Sequence, residues 1–133
     1  MPLFVAIVPV LRVSDLERSV AWYRDNLGFT AVEGQDASQG CILRRDATEL
    51  MLRRAASPLT RVRDSYQWDV YIRLAGEELT ALLDHARRRT PLVRGPELMP
   101  SGAVEFELED PDGYRVCVAE ALSDTRGFPR AVA

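Results

Sequence analysis

The chain has 133 residues, 47% of them hydrophobic and 28% charged, which suits one domain with a real core or two half-size units sharing one. A formal net charge of -3 does not favour nucleic acid or an anionic membrane, and no apolar run reaches the roughly 18 residues that span a bilayer. Two cysteines, Cys41 and Cys117, make neither a disulfide framework nor a CxxC site, so two reduced, buried thiols in a cytoplasmic protein are expected.

The opening segment FVAIVPVLRV reads as a strand rather than a signal peptide, because it lacks a basic leading region and a small-residue cleavage site. Ser14 with Glu17 three residues on predicts a capping box. Leu16, Val20, Tyr23 and Leu27 then form one helical stripe, and Gly28 suits the left-handed C-cap. FTAVE resumes extended structure; GCILRR, the turn DAT and ELMLRRA predict a hairpin, completing a β-α-β-β-β order. The segment AASPLTRVRDSYQ reads as a crossover loop.

A second round follows. WDVYIRL predicts a strand, and AGEELTALLDHARRR a helix with Leu79, Leu82, Leu83 and Ala86 on one side and basic residues at its negative end. TPLVRGPEL, GAVEFELE and YRVCVAE supply three further extended segments, the last two joined by the turn EDPDG. Val13 and Leu74 close the two first strands at an offset of 61; GCILRR and GAVEFE begin 62 apart, and ELML and RVCV 66 apart. So regular a repeat predicts an α+β fold. Two βαβββ modules, about 3–55 and 67–120, each with a helix on one face of its sheet, would leave the other faces free to form a shared groove, within one domain over 1–122. LSDTRGFPRAVA has no period; residues 123–133 read as a tail, loose or reaching to a partner.

The stretches VLRVSDLERSVAWYRDNLGF, YIRLAGEELTALLDHA and FELEDPDGYRVCVAE resemble the vicinal oxygen chelate superfamily, which contains glyoxalase I, extradiol dioxygenases and bleomycin-resistance proteins. The resemblance spans roughly residues 3 to 120 and is nearest to the bleomycin-resistance branch. It implies paired βαβββ modules forming a cupped mixed sheet with helices on the outer face, commonly in a homodimer. In metal-dependent members, ligands lie on the first and last strand of each module. Carried onto this chain, those positions are Val8, Met51, Asp69 and Cys117, with Glu49 as the alternative to Met51. Val8 has no donor and Met51 offers only a soft thioether, so the set is too poor for magnesium, manganese or zinc. His85, the single histidine, falls in the second helix, away from the groove. There is no GxSxG, P-loop or dinucleotide fingerprint.

Strand alternation then names the groove face: Val8, Val10 and Arg12; Glu49, Met51 and Arg53; Asp69, Tyr71 and Arg73; Arg115, Cys117 and Ala119. Trp68 and Tyr66 stand at the entrance to one strand. Apolar surface with a few charges is what ligand pockets offer, and the arginines suit a carboxylate or phosphate, or else pair with Glu49, Asp69, Glu105 and Glu107. The expected ligand set is Val8, Val10, Arg12, Glu49, Met51, Trp68, Asp69, Tyr71, Arg73, Arg115 and Cys117. The expected function is small-molecule binding without a metal or other cofactor, by a cytoplasmic homodimer sequestering an antibiotic or metabolite, with no nucleic-acid or membrane partner and no assigned catalytic residue. The alternative is a glyoxalase- or dioxygenase-like metalloenzyme with a rearranged site.

Overall fold

A computed structural model describes residues 2–32, 38–57 and 68–132, in two compact units, Met1–Arg61 and Val62–Ala133. Each unit is one helix on a four-stranded mixed sheet in βαβββ order. No helix among the described residues is long and apolar enough to cross a membrane.

Unit 1 comprises β1 (Val10–Val13), α1 (Leu16–Leu27), β2 (Thr30–Ala31), β3 (Gly40–Arg45) and β4 (Thr48–Arg54), in sheet order β1-β4-β3-β2. β1 runs parallel to β4 and the other pairs are antiparallel. Leu11, Val13, Leu43, Leu50 and Leu52 point to one face and bury Leu16, Tyr23, Leu27 and Phe29 against it. The first strand is shorter than its sequence suggests: residues before Val10 form no strand, and Leu3, Phe4, Val5 and Ile7 are exposed. The capping box does not form. Asp15, in extended conformation, is the N-cap and its Oδ1 accepts the Arg18 N–H at 3.0 Å, so the third helical residue is Arg18. Glu17 faces outward toward Arg54 instead. Gly28 is the left-handed C-cap as expected, at φ 72.

Unit 2 comprises β5 (Val70–Arg73), α2 (Leu79–Arg87), β6 (Arg94–Leu98), β7 (Val104–Glu109) and β8 (Arg115–Glu120), in sheet order β5-β8-β7-β6. Val104, Phe106, Leu108, Val116 and Val118 make the core face, which Leu79, Leu83 and Ala86 of α2 cover. α2 has no local side-chain cap. The buried Glu120 of β8 replaces it: its carboxylate accepts the N–H groups of Glu77, Glu78 and Leu79 at 2.6, 2.8 and 2.9 Å. A carboxylate at a helix N-terminus satisfies orphan donors and meets the positive end of the dipole. In the turn before β8, Asp110 Oδ1 accepts the N–H groups of Asp112 and Tyr114, and Gly113 takes φ 86.

The tail is not loose along its whole length. Leu98 at the end of β6 bridges to Arg130, donating its N–H to Pro129 and accepting that of Ala131. The expected crossover loop falls, from residue 58 on, outside the described residues, as does Tyr66.

Candidate functional site

Pairing register tests the repeat. Val10 opposes Met51 and Tyr71 opposes Cys117, which reproduces the offsets of 61 and 66. Ile42 opposes Met51 and Glu107 opposes Cys117, so β3 and β7 correspond at 65, not 62. Aligning Gly40 with Gly102 is misleading because the Met99–Gly102 turn precedes β7 rather than belonging to it. An odd slip exchanges the faces of a strand. The corrected register puts Glu105, Glu107 and Glu109 on the same face as Cys117, opposite the core.

On the corresponding face of unit 1, Val10, Met51 and Ile42 stand side by side, flanked by Arg12, Arg53 and Gly40. A depression of about 480 Å³ opens here, lined by Val10, Arg12, Met51, Arg53, Arg54 and neighbours. Arg53 makes no ion pair among the described residues; its stem lies across Gly40, 2.8 Å from where a Cβ would stand. Arg54 donates to the Ser38 carbonyl at 2.9 Å and pairs with Glu17 at 3.4 Å. Glu49 is held by Arg44 at 2.8 Å, at the far end of the strand. Val8 lies before β1, half-buried and outside this lining.

Unit 2 presents a connected network at the same topological place. Arg94 on β6 donates to Glu97 at 2.6 Å and to Glu105 at 2.8 Å, and stands 3.7 Å from Glu107 and 3.6 Å from Cys117 Sγ. Tyr71 donates its hydroxyl to the second oxygen of Glu105 at 2.8 Å. Arg115 bridges Glu107 and Glu109 at 3.4 and 3.0 Å. Glu105 and Glu107 are only 4% and 5% exposed, and Cys117 is 0% exposed. A register shift in β6 makes the Arg94–Glu97 contact possible: residues three apart reach one face because the chain bulges at Gly95. Gly95 sits at φ 80, and a Cβ on it would run into the Glu105 carbonyl oxygen.

These contacts set protonation. Burial, then Glu105, pushes the Cys117 thiol from its ordinary 9.0 up to about 12. Burial and the hydrogen bond to Glu105 likewise push the Tyr71 phenol up to about 12. For Glu105, burial favours the neutral acid, but hydrogen bonds from Arg94 and Tyr71 win and hold the carboxyl below its usual range. Burial opposes the charge of Arg94 too, and its bonds to Glu105 and Glu97 outweigh that. Cys117 is therefore a neutral thiol at physiological pH, not a poised nucleophile.

The sequence-derived set is divided between the two units. Val10, Arg12 and Met51 line the depression of unit 1, while Glu49 is tied to Arg44 beyond it. Tyr71, Arg73, Arg115 and Cys117 share the polar face of unit 2, Cys117 wholly buried. Trp68 and Tyr71 are exposed at 44% and 37%, with ring centroids 5.4 Å apart. Asp69 precedes β5, and its Oδ2 accepts the Arg115 N–H at 2.8 Å. Arginine pairing across strands holds for Arg115 with Glu107; Glu49 and Glu105 are taken by Arg44 and Arg94, which the groove list omits. Glu105 and Glu107 were findable as a groove-face pair, since VEFELE alternates and its apolar half must face α2. Arg94 was not, because only the bulge aims it.

The four inherited metal positions do not fit an ion. Val8 has no donor, Met51 is a thioether, Asp69 is committed to a backbone N–H, and the Cys117 thiol is protonated beside a guanidinium. Among the described residues, no group of three or more His, Cys, Asp or Glu is arranged to hold a metal. His85 lies on α2, which packs on the opposite face of the unit 2 sheet.

The family model described as Glyoxalase/Bleomycin resistance protein/Dioxygenase superfamily matches residues 5–118. No curated protein matches the chain. A glyoxalase/bleomycin resistance protein/dioxygenase from Alicyclobacillus acidocaldarius is similar at TM-score 0.72 and 17% identity, over 90% of this chain and 92% of that one. A lactoylglutathione lyase from Agrobacterium tumefaciens gives 0.66 and 22%, over 92% and 97%. TioX from Micromonospora sp. ML1 gives 0.67 and 18%, over 87% and 98%. At such identities the likeness is one of fold alone.

Proposed function

Because the chain belongs to the Glyoxalase/Bleomycin resistance protein/Dioxygenase superfamily, we propose that it is a metal-independent binding protein that sequesters a small molecule, an antibiotic or a metabolite. The observation that carries this reading is the depression in unit 1, about 480 Å³, with Val10 and Met51 as its apolar part and Arg12, Arg53 and Arg54 around them. A volume of this order holds a drug-sized molecule, and apolar area with a few aimed charges is the usual lining of such sites. The thioether of Met51 adapts to a flat body. Guanidinium groups pair with carboxylate or phosphate oxygens. The ligand class is therefore a compact apolar or aromatic acid rather than a cationic glycopeptide. In this reading the protein works as a cytoplasmic homodimer, without nucleic acid or membrane as partner.

The metalloenzyme alternative requires donors that the inherited positions lack, and no step is derived through a metal. Titration calorimetry with 2-naphthoate and with bleomycin, each with and without EDTA, tests the proposal. Naphthoate binding that survives EDTA and weakens about tenfold in Arg53→Ala is the expected result. Heat from neither compound, or binding abolished by EDTA and restored by zinc or manganese, overturns it. Heat from bleomycin alone overturns the assigned ligand charge.

A further inference from the structure

We propose that residues 123–131 act as a strap that occupies the outer edge of β6 and so keeps a further copy of the chain from pairing with it there. The inference does not rest on the ligand reading above and concerns unit 2 alone.

β6 is the last strand of its sheet, so the backbone groups on its far side have no strand of that sheet to meet. Such an edge is a template for another chain unless it is short, blocked or covered. Two features close it here. Pro96 has no N–H to offer. Leu98 turns both of its backbone groups away from β7, and the tail takes both: the Leu98 N–H donates to the Pro129 carbonyl at 2.7 Å, and the Leu98 carbonyl accepts the Ala131 N–H at 2.8 Å. The near end of the strap is fastened separately, where Glu77 accepts the Ser123 N–H at 2.9 Å. Glu77 stands at φ 62, a left-handed conformation that glycine adopts at less cost. Its own N–H is held by Glu120, so the backbone is fixed from one side and the carboxylate is delivered to the tail on the other.

Between these fastenings the strap bonds mainly to itself: Asp124 pairs with Arg126, and Phe128 donates its N–H to the Thr125 carbonyl. Ser123, Asp124, Arg126 and Gly127 are exposed. A segment held by a few hydrogen bonds at its ends opens without unfolding the sheet beneath it. The groups it releases are those a second chain would need. In an antiparallel pair related by a two-fold axis, residues that face each other exchange both N–H···O bonds. Two copies meeting at Leu98 would form that pair, and the strap satisfies the same two groups within one chain. A tether of a few residues holds the strap at an effective concentration in about the millimolar range, so a free chain at micromolar concentration does not displace it.

The test compares wild type, Glu77→Gly/Ala131→Pro, and that double variant with Leu98→Pro added. Glu77→Gly removes the carboxylate and keeps the backbone shape, and Ala131→Pro removes the N–H that Leu98 accepts. Leu98→Pro then removes the edge donor itself, which faces away from β7. In sedimentation velocity over a concentration series, the released double variant should rise to about twice the wild-type mass, since a two-fold contact closes at two. Adding Leu98→Pro should return it to the wild-type mass. A released chain that keeps the wild-type mass overturns the proposal, and so does a doubling that persists with Leu98→Pro. If circular dichroism shows the double variant unfolded, amide exchange of wild type decides. The Leu98 and Ala131 amides are expected to exchange at least about tenfold faster than those of Phe106 and Val118, which pair β7 with β8. Equal protection overturns the proposal, because the tail would then belong to the core rather than cover an edge. Naphthoate calorimetry reads unit 1 and the mass of the released chain reads unit 2, so either proposal can fail alone.

Discussion

Met51 and Cys117 hold the same place in two copies of one strand pattern, one opposite Val10 and the other opposite Tyr71. Around Met51 the face is open: it borders a depression, and Arg53 has no acidic partner among the described residues. Around Cys117 the charges answer one another, from Glu97 through Arg94 to Glu105, and from Glu107 through Arg115 to Glu109. Duplicated topology fixes where side chains project, but not whether their polar groups face a ligand or each other. In unit 1 Arg53 pairs with no acid among the described residues, and in unit 2 the charges are consumed internally. The same sheet geometry thus carries a more open face in one copy and a closed polar network in the other.

The sharpest way to break this contrast is a matched pair of substitutions. Arg94→Met leaves Glu105 and Glu107 buried without their shared cation, and losing one partner of a buried ion pair costs about 3–5 kcal/mol. Arg53→Met on the exposed face of unit 1 is expected to change stability by less than about 0.5 kcal/mol. Urea unfolding of both variants measures the difference. Equal effects would mean that the unit 2 network is no more structural than an ordinary surface arginine.

A second, smaller contrast concerns the helices. α1 is capped by its own Asp15, α2 by Glu120 reaching over from β8. Asp15→Ala removes one acceptor at an exposed end and should cost about 1 kcal/mol. Glu120→Ala strips three N–H groups of their partner in a buried setting, and about 2–3 kcal/mol is expected. Thermal unfolding separates the two, and a smaller loss for Glu120→Ala would show that water replaces the carboxylate.

Much of the fold is legible from residues alone, because periodicity and turn chemistry are local. Leu16, Tyr23 and Leu27 announce α1, Asp-Pro-Asp-Gly announces the turn before β8, and two offsets of the repeat hold in the register. What escapes depends on contacts between distant segments. Glu120 gives no sign in sequence of capping a helix some forty residues earlier. The β7 offset differs by three because the preceding turn takes up residues that a glycine-to-glycine alignment assigns to the strand. Arg94 looks like an ordinary strand residue until the bulge at Gly95 turns it inward. The candidate site was accordingly half visible: the face of unit 1 followed from alternation, and the network of unit 2 required knowing which strand lies beside which.

The most selective expected effect reads the buried thiol by itself. In the unfolded chain Cys117 ionises near its ordinary 9.0, while in the fold it holds its proton up to about 12. The folded state therefore binds more protons in that interval, so the contribution of Cys117 is complete below pH 9 and declines as pH rises toward 12. The slope approaches about 1.4 kcal/mol per pH unit once the unfolded thiol is ionised, and roughly 1.4 kcal/mol is lost by about pH 10. Tyr71 shifts in the same direction, and burial raises Cys41 as well, so wild type alone cannot isolate the thiol. Cys117→Ala removes it while leaving both other groups. Urea midpoints measured from about pH 8 to about pH 10.5 should fall more steeply in wild type than in Cys117→Ala. Parallel profiles would mean that Cys117 meets water, and with it that the unit 2 face is as open as the face around Met51.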